Sequence, residues 1–124
     1  MEISSVEILK KLPEFEEFLS ITDEIYEAVV QKLSLEKEIK TLEANVMRTA
    51  MSDPSYFVGG KVPSVSLIES TYIYPGINGE ILPYREKLIE VIARLERLRS
   101  QLDLYKEFLN MWRTLSASER ATLS

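Results

Sequence analysis

Neither cysteine nor histidine occurs anywhere in this chain of 124 residues. Without cysteine there are no disulfides, thiolate metal sites, iron–sulfur clusters or cysteine nucleophiles. Without histidine the commonest general base, the Ser-His-Asp arrangement and nearly all zinc designs are excluded. Glutamates are numerous, but spacings such as Glu14, Glu16 and Glu17, or Glu36 and Glu38, belong to a solvated helical face. No nucleophile–base pair or acidic ligand loop accompanies them. The expectation is a protein that is not an enzyme, with no catalytic, cofactor or metal residues. No run approaches the ~18 apolar residues of a membrane span, and no basic-then-apolar leader opens the chain, so it reads as cytoplasmic. Glycine is scarce, and all four glycines fall between Asp53 and Glu80.

On either side of that stretch the chain is built for helix. From Ile81 to Leu115 the residues Ile81, Tyr84, Leu88, Val91, Leu95, Leu98, Leu102, Tyr105, Leu109 and Trp112 alternate spacings of three and four. Every a and d position of a heptad frame is then apolar. No glycine or proline follows Pro83, so nothing interrupts a helix of roughly 50 Å at 1.5 Å per residue. Upstream, Phe18, Ile21, Ile25, Ala28, Lys32, Leu35, Ile39, Leu42 and Val46 share one frame, with Lys32 as the one polar member. This predicts a second long helix to about Met51, ended by Asp53-Pro54, with Thr22 or Asp23 as another possible start. Before it, Ser4 or Ser5 can cap a short helix through Val6, Ile8, Leu9 and Leu12 that Pro13 stops or kinks. At the other end, Ser116 with Glu119 can cap a short terminal helix over 116–124.

Between the long helices, residues 53–82 are rich in Gly, Pro, Ser, β-branched and aromatic residues. Pro75-Gly76 and Asn78-Gly79 mark a reversal, and Asn-Gly favours a tight hairpin. Short strands are expected near Tyr56–Val58, Ser70–Tyr74 and Glu80–Leu82. Ser66 with Glu69 also fits a capping box, so Leu67–Tyr72 is open to a helical reading. Gly59-Gly60-Lys61 is a flexible turn rather than a phosphate loop, because Ser55 and Val62 stand where the P-loop needs Gly and Ser or Thr.

Charge selects the pairing. The net charge is −5, but residues 1–52 carry 11 acidic and 6 basic side chains, whereas 81–124 carry 6 and 8. In the heptad frame the second long helix has Arg85, Arg99, Lys106 and Arg113 at e, with Lys87 and Arg94 at g. The first has Glu36 and Glu43 at e, with Glu17, Glu24 and Glu38 at g. Antiparallel packing sets e against e and g against g, so an acidic rod meets a basic one. The fold expected is therefore mainly α: one domain, an antiparallel, coiled-coil-like helical hairpin with a small β-hairpin or loop insert and a short N-terminal helix. Its sections are 1–52, 53–82, 83–115 and 116–124.

The second helix carries more apolar surface than one partner covers. Leu104, Phe108, Met111 and Leu115 form an extra stripe, and Tyr26, Val29, Val30 and Leu33 widen the first helix. The N-terminal segment (Ile8, Leu9, Leu12, Phe15), a second subunit, or both together are expected to cover this extra surface. Tyr56, Phe57, Tyr72 and Tyr74 on the insert are aromatic residues of the kind enriched in binding surfaces. Lys87, Arg94, Arg97, Arg99 and Lys106 form a cationic set suited to phosphates, opposed by the negative total.

Three strings carry resemblances. Two helices around an insert, with Tyr56-Phe57-Val58-Gly59-Gly60 at the exit of the first, resemble a prefoldin subunit over most of the chain, which implies a holdase using its helix tips. Leu42-Glu43-Ala44, Tyr56-Phe57 and the later leucine run are similar to phage recombination mediators, which implies an accessory role in nucleic-acid handling. Leu115-Ser116-Ala117-Ser118-Glu119-Arg120 before Leu123 resembles the lead-in to the DNA-binding helices of phage late-gene activators. The residues themselves point first to a non-catalytic assembly protein acting through homo-oligomerisation or docking on a protein, with no membrane and no cofactor.

Overall fold

The computed structural model describes residues 4–7 and 15–123. Helix α1 spans Phe15–Ser52, and a single 3-10 turn follows over Pro54–Tyr56. Helix α2 is the short Val65–Ile68, continued by a π-helical turn over Glu69–Ile73, and helix α3 spans Leu82–Leu123. The mainly α hairpin is as expected. Two compact units divide the chain: a terminal unit of Met1–Ala28 with Arg94–Ser124, and an insert unit of Val29–Ala93.

In the terminal unit the two helices run antiparallel. Phe18 meets Tyr105 edge to face with ring centroids 5.5 Å apart, and Glu24, further along α1, reaches Arg94, earlier on α3, at 3.8 Å. Ile21, Ala28, Leu95 and Leu98 are buried between them, all predicted seam positions. Thr22 opens no new helix. Its hydroxyl donates to the Phe18 carbonyl at 2.7 Å inside a continuous α1. Nor does Ser116 start one, since α3 runs on through Leu123. Near the start of the chain residues 5–7 form a helical turn that Ser4 Oγ caps by accepting from the Glu7 N–H at 3.3 Å. Ile8, Leu9, Leu12 and Pro13 of the expected short helix lie outside the described residues, as does the Phe15 side chain.

In the insert unit Ile39, Val46 and Ile81 make the core, with Leu42, Tyr72, Ile73, Ile77 and Leu88 packed against it. Lys32 is the half-buried break in the seam and sits 3.9 Å from Glu36. Tyr84, expected on the seam, is instead 37% exposed in the first turn of α3.

The strands expected in the insert do not form. Among the described residues strand pairing is limited to one bridge, Val58 with Lys61, around Gly59-Gly60. Both glycines have positive φ, 59° and 76°, which a type I′ hairpin turn requires of its central pair. Asn78-Gly79 fails that requirement, because among the described residues only glycines have positive φ. In place of a hairpin, Glu80 turns its carboxylate back to accept from the N–H groups of Ile77 at 3.2 Å and Asn78 at 2.6 Å. Residues 65–73 are helical because Ser64, rather than Ser66, caps them by accepting from the Leu67 N–H at 3.2 Å. The turn so formed buries Ile68 completely and brings Tyr72 and Ile73 onto the core. Burial at about 1.5–3 kcal/mol per large apolar side chain outweighs the ~1 kcal/mol span of β-propensity.

Candidate docking surfaces

Leu104, Phe108, Met111 and Leu115 stand at i, i+4, i+7 and i+11 on α3, a spacing that keeps them on one face. Leu104 is 48% and Met111 43% exposed, with Phe108 and Leu115 half-buried beneath them. From Leu102 to Thr122 no described residue of α3 is buried, so this half of the helix offers its apolar surface outward. On α1 of the same unit Leu19 and Tyr26, one heptad apart, are 49% and 70% exposed. Tyr26 stood out in the sequence; Leu19 did not, although its distance of seven residues from Tyr26 was the available signal.

One end of this unit is clasped. Ser5 is buried, and its N–H donates to Glu119 Oε1 at 3.0 Å while its hydroxyl donates to Oε2. Those two bonds, the hydroxyl's first, hold the Glu119 carboxyl below the usual carboxylate range. No spacing rule links residues 114 apart, so this contact was invisible in the sequence.

The insert aromatics are mostly engaged within their own unit. Tyr56 and Tyr72 pack edge to face at 5.7 Å, and Phe57 is half-buried. Tyr74 is exposed and lies under the Arg85 guanidinium, 4.5 Å from ring centroid to Cζ. Arg85 also donates from Nε to the Tyr74 carbonyl at 2.6 Å, and from Nη2 to the Ile73 carbonyl at 3.1 Å and Glu43 at 3.4 Å. One guanidinium thus terminates the π-helical turn and joins α3 to α1. Val58, Val62, Val65 and Leu67 are further exposed apolar residues of the insert, with no periodicity in the sequence that marks them.

The cations divide between the units. Arg94 is drawn to Glu24, whereas Arg97, Arg99 and Lys106 of the terminal unit and Lys87 of the insert unit are exposed, with no acidic partner within 4 Å among the described residues. Among the described residues the interhelix ion pairs are Glu43–Arg85 and Glu24–Arg94, an e–e and a g–g pair, as antiparallel packing demands. Among the described residues no group of three or more acidic side chains is placed to hold a metal ion. Among the described residues no helix is long and apolar enough to cross a membrane. Comparison with protein-family models, with characterised proteins and with solved structures finds no match.

Proposed function

We propose that this chain is a non-catalytic assembly protein that docks on a protein, another molecule or a second copy of itself, through the apolar face of α3. The observation carrying this reading is the half-exposed stripe Leu104, Phe108, Met111 and Leu115 on a helix segment with no buried residue of its own. Apolar rows at helical spacing, rimmed by charge, fit helix-in-groove or helix-on-helix recognition. A benzophenone side chain placed at residue 111 tests it in extract from the source cells. The expected product is a nuclease-resistant protein adduct that an excess of unlabelled protein competes away and an excess of the Leu104→Glu variant does not. An adduct no stronger than from a benzophenone at the polar position Thr114 sinks the reading.

A second reading, as a nucleic-acid-handling accessory, is favoured by the exposed Lys87, Arg97, Arg99 and Lys106. Phosphate contacts of that kind release counterions, so binding to single-stranded DNA would fall steeply between about 50 and 200 mM salt. Fluorescence anisotropy over that range decides it, and a salt-independent or absent signal removes it.

A further inference from the structure

The terminal unit carries two faces that complement each other. Glu24 and Arg94 are both g positions, so their contact puts the g flanks of α1 and α3 on one side of the seam and leaves the e flanks on the other. The e side presents apolar Leu19 and Tyr26 from α1 beside cationic Arg99, Lys106 and Arg113 from α3, with Glu96 and Asp103 at the outer margin of that row. The g side presents the reverse: acidic Glu17 and Glu27 from α1, with Arg94 satisfying Glu24, beside the apolar Leu104–Leu115 stripe and Arg97 of α3. The first face is greasy on α1 and cationic on α3. The second is anionic on α1 and greasy on α3.

We infer that a second copy of this chain docks with its g face on the e face of the first, related by a half-turn about an axis through the Phe18–Tyr105 contact and normal to the two helices, together with a shift of one layer along that axis. This rests on the docking reading and adds the occupant and its orientation. Register supports it. Phe18 lies level with Tyr105, so Leu19 and Tyr26 are centred about five residues to one side of that level and the Leu104–Leu115 stripe about five to the other. The half-turn brings these two apolar groups together. It also swaps the helices, setting the cationic row of α3 over the acidic row of the partner's α1 with an offset of about 5 Å at 1.5 Å per residue, within reach of Arg and Glu side chains. The acid content makes the match one-sided: from Phe15 to Gln31 the chain has five carboxylates and no base. Because the two faces differ, the contact is heterologous, and each added copy presents a fresh e or g face.

Light scattering on the purified chain, with circular dichroism as the check on folding, tests this with two exposed positions. The wild type is expected to grow in mass with concentration, past a dimer, and to associate more weakly as added sodium chloride screens the charged rows. Tyr26→Glu and Met111→Glu are each expected to be folded single chains, and an equal mixture of the two to form a heterodimer and nothing larger, since each variant keeps one intact face. Self-association by Tyr26→Glu but not by Met111→Glu would mean an isologous contact between stripes and overturns the inference. A wild type that stays at 14.3 kDa at every concentration also overturns it, whether or not single-stranded DNA binds the cationic row. That result leaves the docking reading intact, because the adduct at residue 111 asks only for some protein.

Discussion

Gly76 illustrates how much one hydrogen atom in place of a side chain can decide. Its φ is +87°, and a Cβ there would sit 2.6 Å from the Glu80 carboxyl, the group that caps Ile77 and Asn78. Gly76→Ala therefore combines left-handed strain with displacement of that carboxylate, and we expect a loss of about 2–4 kcal/mol in urea denaturation. Gly59 has a similar φ of +59° but open space around it, so Gly59→Ala is expected to cost only about 1 kcal/mol, from backbone strain alone. Equal losses at the two positions would contradict the account of the Glu80 cap.

Three carboxylates titrate low for local reasons: Asp53 through the Ser55 hydroxyl and N–H, Glu80 through its own backbone N–H and those of Asn78 and Ile77, and Glu119 through Ser5. A carboxyl whose folded pKa lies below its unfolded value binds its proton more readily in the unfolded chain. Its stabilisation is present above the unfolded pKa and is lost as the pH falls through the folded one. Urea midpoints should therefore fall as the pH drops below about 4, and Ser5→Ala should flatten part of that slope. A slope unchanged in Ser5→Ala would mean that Glu119 contributes nothing.

At the scale of elements, the insert is tied to its hairpin by Arg85. Replacing it with Leu removes the hydrogen bonds to the Ile73 and Tyr74 carbonyls and the cation beside the half-buried Glu43, for an expected loss of about 1–2 kcal/mol in chemical denaturation. Arg85→Lys should recover little of this, because an ammonium lacks the fork that spans two carbonyls and a carboxylate and stacks on Tyr74. Full recovery by Lys would reduce Arg85 to a point charge. The seam offers the opposite case, a site where the natural residue is suboptimal. Lys32 interrupts an otherwise apolar row with only a 3.9 Å contact to Glu36 in return, so Lys32→Leu is expected to raise stability by about 1 kcal/mol.

The long helices were legible from the sequence because a heptad repeat states both the helix and its buried face. Ile21, Ala28, Leu35, Ile39 and Val46 are buried where the frame puts them. The e and g charges stated the direction of pairing, and Glu43–Arg85 and Glu24–Arg94 follow it. The insert was not legible, because its β-branched and aromatic residues obey whichever surface they meet. Tyr72 and Ile73 pack against the core of Ile39, Val46 and Ile81 from within the π-helical turn Glu69–Ile73. Of the proposed docking surface, the α3 stripe and Tyr26 could be read from spacing, while Leu19, the exposed apolar residues of the insert and the Ser5–Glu119 clasp needed coordinates.

On the scale of the whole molecule, burial is spread unevenly. The insert unit holds the Ile39, Val46 and Ile81 core and the fully buried Ile68, whereas α3 beyond Leu98 has no buried residue among those described. Amide hydrogen exchange tracks such differences. Peptides over 39–50 and 81–91 should be the slowest to exchange, and those over 104–122 the fastest within α3, in dilute protein. At concentrations where copies associate, protection of 104–115 should rise if the faces described above are occupied.

Trp112, the only tryptophan, lies half-buried in the terminal unit, one heptad before Glu119. Its emission therefore reports on that unit alone, whereas far-ultraviolet ellipticity sums over every helix. The chain carries its own optical means of asking whether its two units melt together. Coincident transitions by the two signals would mean a single cooperative molecule, and separated ones would reveal an order of melting that needs no attached dye.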